Sequence, residues 1–201
     1  MPGRRPLAVA VTGGIGAGKS EALQAFARHG VPTLSSDDIV HRLLREDDGV
    51  RRALVDRFGH RVLDAGGQAD RGSIAEIVFA DGEALAWLEG LLHPHVVREY
   101  IAWRERLARL PEPPALCVNE VPLLYEVGGD MRFDKVVVVT APEALRNTRA
   151  RTSVEDRSRR LLPDEEKAER ADFVFVNDGS LADLDSFVSG VIAKLDPCAV
   201  R

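Results

Sequence analysis

The chain has 201 residues, 45% hydrophobic and 29% charged, enough apolar material for a buried core and too much for disorder to be expected. Its formal charge is −5, whereas surfaces that neutralise nucleic-acid backbone carry a basic excess, so nucleic acid is not an expected partner. No eighteen apolar residues run together and the N-terminal arginines precede no leader-like segment, so one soluble, cytoplasmic globular unit without a membrane partner is expected.

The first predicted element is a strand over residues 7–11, and Gly13-Gly14-Ile15-Gly16-Ala17-Gly18-Lys19-Ser20 follows it at once. This fits G-x-x-x-x-G-K-[ST] at every fixed position and runs into a segment with Leu23, Phe26 and Ala27 at helical spacing. A strand, a glycine loop and a helix N-terminus together make a phosphate site. Glycines let successive amides point inward, the helix end adds positive potential, and Lys19 reaches the terminal phosphates. Ser20 is the expected magnesium ligand, and the nucleotide-binding stretch extends to Glu21. The bland alternative is a glycine-rich turn with Lys19 merely exposed. Lysines occur only at 19, 135, 167 and 194, so a chance lysine in this slot is a poor explanation.

A second strand over residues 31–34 ends in Ser35-Ser36-Asp37-Asp38. At the carboxyl edge of a doubly wound sheet, where ligands bind, Asp37 is the candidate general base for a hydroxyl acceptor. Helix capping ahead of Ile39, Val40, Leu43 and Leu44 is the competing role for Asp37 and Asp38. Residues 41–110 then contain no strand-like run. Leu85, Leu88, Leu91 and Leu92, followed by Val96, Val97, Tyr100 and Ile101, recur every three or four residues, so a helical insertion is predicted, with a break near Gly66, Gly67 and Gly72. Within it, His93-Pro94-His95 is expected to form a turn and not a metal site, since histidines two apart do not share a helix face. Asp64-Ala65-Gly66-Gly67 matches a bare Asp-x-x-Gly, which is read as chance.

Pro111 and Pro114 predict a loop, and a third strand over residues 115–118 leads to Asn119-Glu120 and Pro122-Leu123-Leu124-Tyr125-Glu126. Glu120 is the acidic group expected to support magnesium beside Ser20. Glu126 either contacts substrate or caps a turn. Strands over residues 135–140, with four consecutive valines, and 173–176 complete a five-stranded α/β fold, and their apolar runs suit parallel strands covered on both faces. Between them, residues 146–170 are dominated by charge: either a solvated helical face or a phosphate-facing lid. Arg157 and Arg160, three apart and on one helical face, are the pair expected to contact phosphate during transfer, with Arg149 and Arg151 as alternatives. Leu184, Phe187, Val188, Val191, Ile192 and Leu195 share one stripe, which predicts a C-terminal helix packed on the sheet. The cysteines, Cys117 and Cys198, pair with no Cys or His at zinc-ligand spacing, which fits a reducing compartment.

With these pieces placed, the sequence resembles the dephospho-CoA kinase family across nearly its full length. The resemblance is carried by Val11-Thr12-Gly13-Gly14-Ile15-Gly16 running into Gly18-Lys19-Ser20, by Asp37, by Leu92-His93-Pro94-His95-Val96, by Pro122-Leu123-Leu124-Tyr125-Glu126, and by Ala171-Asp172-Phe173-Val174 leading to Asn177 and Gly179. It implies transfer of the ATP γ-phosphate, with magnesium, to the ribose 3′-hydroxyl of dephospho-CoA. It also implies a parallel-sheet nucleotide core from residues 1–40 and 111–201, with a lid at about residues 146–170. The insertion, residues 41–110, would hold the substrate. Asp37 would take the place of the family's catalytic aspartate with Lys19 assisting, Asn177 would either border the adenine or serve as a turn residue ahead of Gly179, and His41, His93 and, unless it caps a turn, Glu126 would be substrate contacts. The chain departs from the family in two places. Ser35 and His41 stand where a carboxylate and an arginine are usual, and the lid is short, with no Gln ahead of Pro163. A nucleoside-monophosphate or shikimate-type kinase is the alternative with the same chemistry. A GTPase switch would need Asn-Lys-x-Asp, and no Asn here precedes Lys.

Overall fold

Small and β-branched residues dominate residues 7–11 and 136–139, and such side chains pack well on a pleated surface buried from both sides. In the computed structural model, which describes residues 5–149 and 161–196, these runs form the middle of a five-stranded sheet. The strands are β1 Leu7–Gly13, β2 Thr33–Ser35, β3 Leu116–Glu120, β4 Lys135–Thr140 and β5 Phe173–Val176. Their spatial order is β2-β3-β1-β4-β5, and every neighbouring pair is parallel. The helices are α1 Lys19–Arg28, α2 Ser36–Glu46, α3 Asp48–Phe58, α4 Arg71–Ala80, α5 Gly82–Ala108, α6 Glu143–Arg149, α7 Asp164–Glu169 and α8 Leu181–Leu195. The chain winds from β1 out to β2, returns to β3, and then crosses β1 to reach β4. Winding therefore reverses around β1, where an open α/β sheet forms its ligand crevice.

The chain divides into two compact units, Met1–Ser35 with Arg104–Arg201, and Ser36–Trp103. In the sheet unit, Val9, Val11, Val118, Val137 and Val139 pack against Ala22, Ala25 and Phe26 of α1 and Leu184, Val188, Val191 and Ile192 of α8. On the other face, Ala10, Val136 and Val138 meet Leu124 and Tyr125. Burial pushes the Cys117 thiol up to about 11, so it stays protonated at neutral pH and is no nucleophile. One strand differs from expectation. Phe173 and Phe175 pack inward, Phe175 against Phe187 of α8, while Val174 and Val176 are exposed. The reason is position: β5 is an edge strand, and α8 covers only its phenylalanine face.

The second unit is helical apart from an isolated bridge between Leu63 and Ala69. Asp47 caps α3 by accepting from the Gly49 and Val50 amides at 2.8 and 3.0 Å, and Asp70 does the same for α4 from Gly72 at 3.0 Å. Asp64 closes its turn by accepting from Gly66 and Gln68, so that Asp-x-x-Gly is a local turn. The expected turn at His93-Pro94-His95 is corrected: Pro94 lies inside the 27-residue α5. Proline there loses one backbone bond. The apolar periodicity on both sides keeps the helix continuous, and His95 faces Asp47 at 3.8 Å and Arg98 at 3.0 Å.

Candidate functional site

The loop of residues 13–20 leaves the end of β1 and enters α1 at Lys19. Gly13 and Gly18 adopt φ of 146° and 100°, a region that L side chains rarely enter. A Cβ on Gly13 would also overlap the Val139 carbonyl oxygen of β4, and one on Gly18 would overlap Asn177 Nδ2. Gly13→Ala is therefore expected to cost about 3 kcal/mol of stability, lowering the thermal midpoint by roughly 10 °C, as a calorimetric melt would read. Ala17 is fully buried and anchors the loop, Ile15 and Gly16 are partly exposed, and Ser20 is open to solvent. Lys19 folds back so that its Nζ donates to the Gly14 carbonyl at 2.9 Å, spanning the loop from helix start to strand end. Glu21 lies in the first turn of α1.

Around the loop stand groups far apart in sequence. The register places Glu120 opposite both Val11 of β1 and Ser35 of β2, at the carboxyl end of the sheet. Glu120 is 4% exposed, and Ser35 Oγ donates to its Oε2 at 3.3 Å. Asn177, after β5, donates from Nδ2 to the Ala17 carbonyl at 2.8 Å and from its amide to the Thr140 carbonyl at 2.7 Å, tying β4 and β5 to the loop.

A cleft of about 630 Å³ opens beside Gly14 and Ile15, walled by Thr140, α6 and residues 161–165. Glu126 supports the last of these walls. Its Oε1 accepts from the Leu162 amide at 3.1 Å and lies 2.8 Å from Lys167 Nζ, an ion pair in which Lys167 is wholly buried. Removing one partner of such a pair strands the other charge, so Lys167→Ala is expected to cost about 3–5 kcal/mol, measured by urea denaturation. Arg146, on α6, pairs with Asp164 at 3.0 Å within the same cleft.

The sheet unit thus gathers Gly13, Gly14, Ile15, Gly16, Ala17, Gly18, Lys19, Ser20 and Asn177 into one loop environment, with Glu120 at the same sheet edge. Asp37 and His41 belong to α2 of the second unit, both exposed, and His93 to α5, partly buried. Because α2 begins at Ser36, Asp37 and Asp38 lie in its first turn, where negative charge suits the helix dipole. Arg157, Arg160 and Arg151 lie outside the described residues, and Arg149 ends α6. Arg146, Asp164 and Lys167 were not singled out from sequence. The one available signal was that Lys167 is among only four lysines, set in an otherwise acidic stretch.

Residues 7–183 match the family model described as dephospho-CoA kinase. The dephospho-CoA kinase of Chlorobaculum tepidum is 38% identical, over 97% of this chain and 98% of its own. That of Thermus thermophilus is 35% identical, over 96% and 93%. Among solved structures, TT1252 from Thermus thermophilus superposes with a TM-score of 0.77 at 34% identity, covering 96% of this chain and 100% of that one. Dephospho-CoA kinase from Campylobacter jejuni gives 0.67 at 26%, with the same coverage. Shikimate kinase from Bacteroides thetaiotaomicron, at 16% identity and a TM-score of 0.50, covering 94% of this chain and 98% of that one, shares the fold.

Proposed function

The chain belongs to the dephospho-CoA kinase family, and we propose how its residues transfer the ATP γ-phosphate to the ribose 3′-hydroxyl of dephospho-CoA. The observation that carries this reading is the phosphate loop at the winding reversal, with Lys19 turned across it onto Gly14. Backbone amides of residues 14–20 hold the triphosphate, and Lys19 follows the charge as it moves. Asn177, which fixes the loop's far end through Ala17, borders the adenine.

Ser20 and Glu120 offer hydroxyl and carboxylate oxygens, the hard donors magnesium prefers. Among the described residues no three His, Cys, Asp or Glu side chains gather as a metal cage. Magnesium in phosphate-transfer sites is held by one or two protein oxygens together with phosphates and water. When bound, magnesium supplies neutralising charge to the β- and γ-phosphates.

The step is an in-line displacement. The 3′-oxygen forms its bond to the γ-phosphorus, the bond from that phosphorus to the bridging β–γ oxygen breaks, ADP leaves, and the hydroxyl proton passes to the Asp37 carboxylate. Arg157 and Arg160 are assigned to the transferring phosphate. The second unit, including His41 and His93, is assigned to the substrate. Glu126, engaged with Leu162 and Lys167, takes part by supporting the cleft wall. No helix among the described residues is long and apolar enough to cross a membrane.

The test compares ATP consumption with dephospho-CoA, AMP, shikimate or no acceptor. Turnover is expected with dephospho-CoA alone. A preference for AMP or shikimate would overturn the acceptor, and consumption without acceptor would make the protein an ATPase.

A further inference from the structure

We propose that Arg146 is a phosphate-binding residue of this kinase and that Asp164 is the carboxylate with which phosphate competes for it. The inference rests on the phosphate-loop reading above. Arg146 projects from α6 toward the loop. A Cβ placed on Gly14 would lie 2.8 Å from Arg146 Nη1 and 2.9 Å from each Asp164 carboxylate oxygen. The guanidinium and carboxylate therefore press against the second residue of the loop itself, inside the cleft that Gly14 and Ile15 help to line.

The bonding of Arg146 is incomplete. Nη1 donates to Asp164 Oδ2 at 3.0 Å, while Nε is buried and has no hydrogen-bond partner among the described residues. A guanidinium carries five donors in a planar fork matched to carboxylate or phosphate. A buried donor left unmet calls for an explanation, and a ligand is one. A phosphate oxygen cluster satisfies more of the fork than one carboxylate oxygen does, and carries more charge.

Asp164 is poorly placed to follow the arginine elsewhere. It stands between Leu162, whose amide is bonded to Glu126, and Lys167, which is paired with the same carboxylate. The segment is thus held on both sides of Asp164, whereas Arg146 has a long side chain on one short helix. Exchange of partner falls to Arg146. Asp164 then sets the affinity for the anion by competing, and its removal should strengthen binding.

The two residues therefore predict opposite signs, which an ion pair serving only stability does not. Binding of inorganic tripolyphosphate and of ATP to the full chain is measured by calorimetry for the wild type, Arg146→Gln, Asp164→Asn and Lys19→Ala. Arg146→Gln is expected to weaken tripolyphosphate binding about tenfold or more, the loss of a charge-assisted bond. Asp164→Asn is expected to tighten it severalfold. Wild-type affinity in Arg146→Gln, or equal weakening in both variants, overturns the proposal and leaves a structural pair. If a melt shows that Arg146→Gln does not fold, Asp164→Asn decides alone: tightening supports the proposal, and unchanged or weaker binding overturns it. Lys19→Ala separates the two readings, because tripolyphosphate binding that survives it would overturn the phosphate loop itself, whatever Arg146 does.

Discussion

Lys19→Ala is expected to lower kcat/KM for phosphate transfer by roughly a hundred- to a thousandfold, with the chain still folded. Lys19 is the first residue of α1 and reaches 2.9 Å from the Gly14 carbonyl, so its ammonium lies over the loop and not out in solvent. A cation fixed there needs no reorganisation when charge builds on the transferring phosphoryl oxygens, which is why one such group is worth so much in a site shielded from water. The backbone of the loop is set by Gly13, Gly18 and the buried Ala17, and alanine is a good helix former at position 19. Loss of turnover with a retained thermal midpoint is therefore the expected pair of results in a coupled ADP-release assay. Turnover within a few-fold of the wild type would remove the phosphate loop as the basis of catalysis.

The features readable from sequence were those whose cause is local or periodic. Four consecutive valines at residues 136–139 can hardly be anything but a buried strand, and β4 runs Lys135–Thr140. The glycine positions of the loop are local through their own backbone, since Gly13, Gly16 and Gly18 adopt φ of 146°, 72° and 100°, where L side chains are rare. The amphipathic stripe of α8 reports burial directly, because Leu184, Val188 and Val191 return to one face every three or four residues. His93-Pro94-His95 misled for the converse reason. Proline is a strong local signal against helix, and it was outweighed by the apolar positions that bury Leu92 and Tyr100 on either side.

Charged residues were the least legible. In residues 146–170 composition alone suggests a solvated face, yet Lys167 is fully buried against Glu126 and Arg146 is turned onto the loop. Their partners are remote: Asp164 is 18 residues from Arg146, and Glu126 belongs to the segment after β3. A helix pattern says which positions share a face, but only the fold decides which charge another part of the chain meets. The same limit applied at β5, where an apolar strand of four residues gave no sign that one side would stay open.

Asp37→Asn is the second substitution with a large expected effect, and it separates proton transfer from nucleotide binding. A positioned carboxylate that accepts a proton in the transition state contributes typically a hundred- to ten-thousandfold, so kcat should fall by about that much. Asparagine keeps the shape and hydrogen-bonding reach of the side chain but cannot take up the proton. Asp37 lies in the first turn of α2 and the phosphate loop is residues 13–20, so the substitution alters no atom of the loop's own backbone. KM for ATP, and calorimetric affinity for ATP without acceptor, are expected to stay near wild type while kcat drops. The cost to folding is small, because one negative charge near an exposed helix N-terminus is worth about 0.3–1 kcal/mol, too little to account for a hundredfold loss by unfolding. A matched loss of ATP affinity and turnover would assign Asp37 to binding. Unchanged turnover would leave it only the role of a helix-start residue, and the proton acceptor would have to be sought elsewhere.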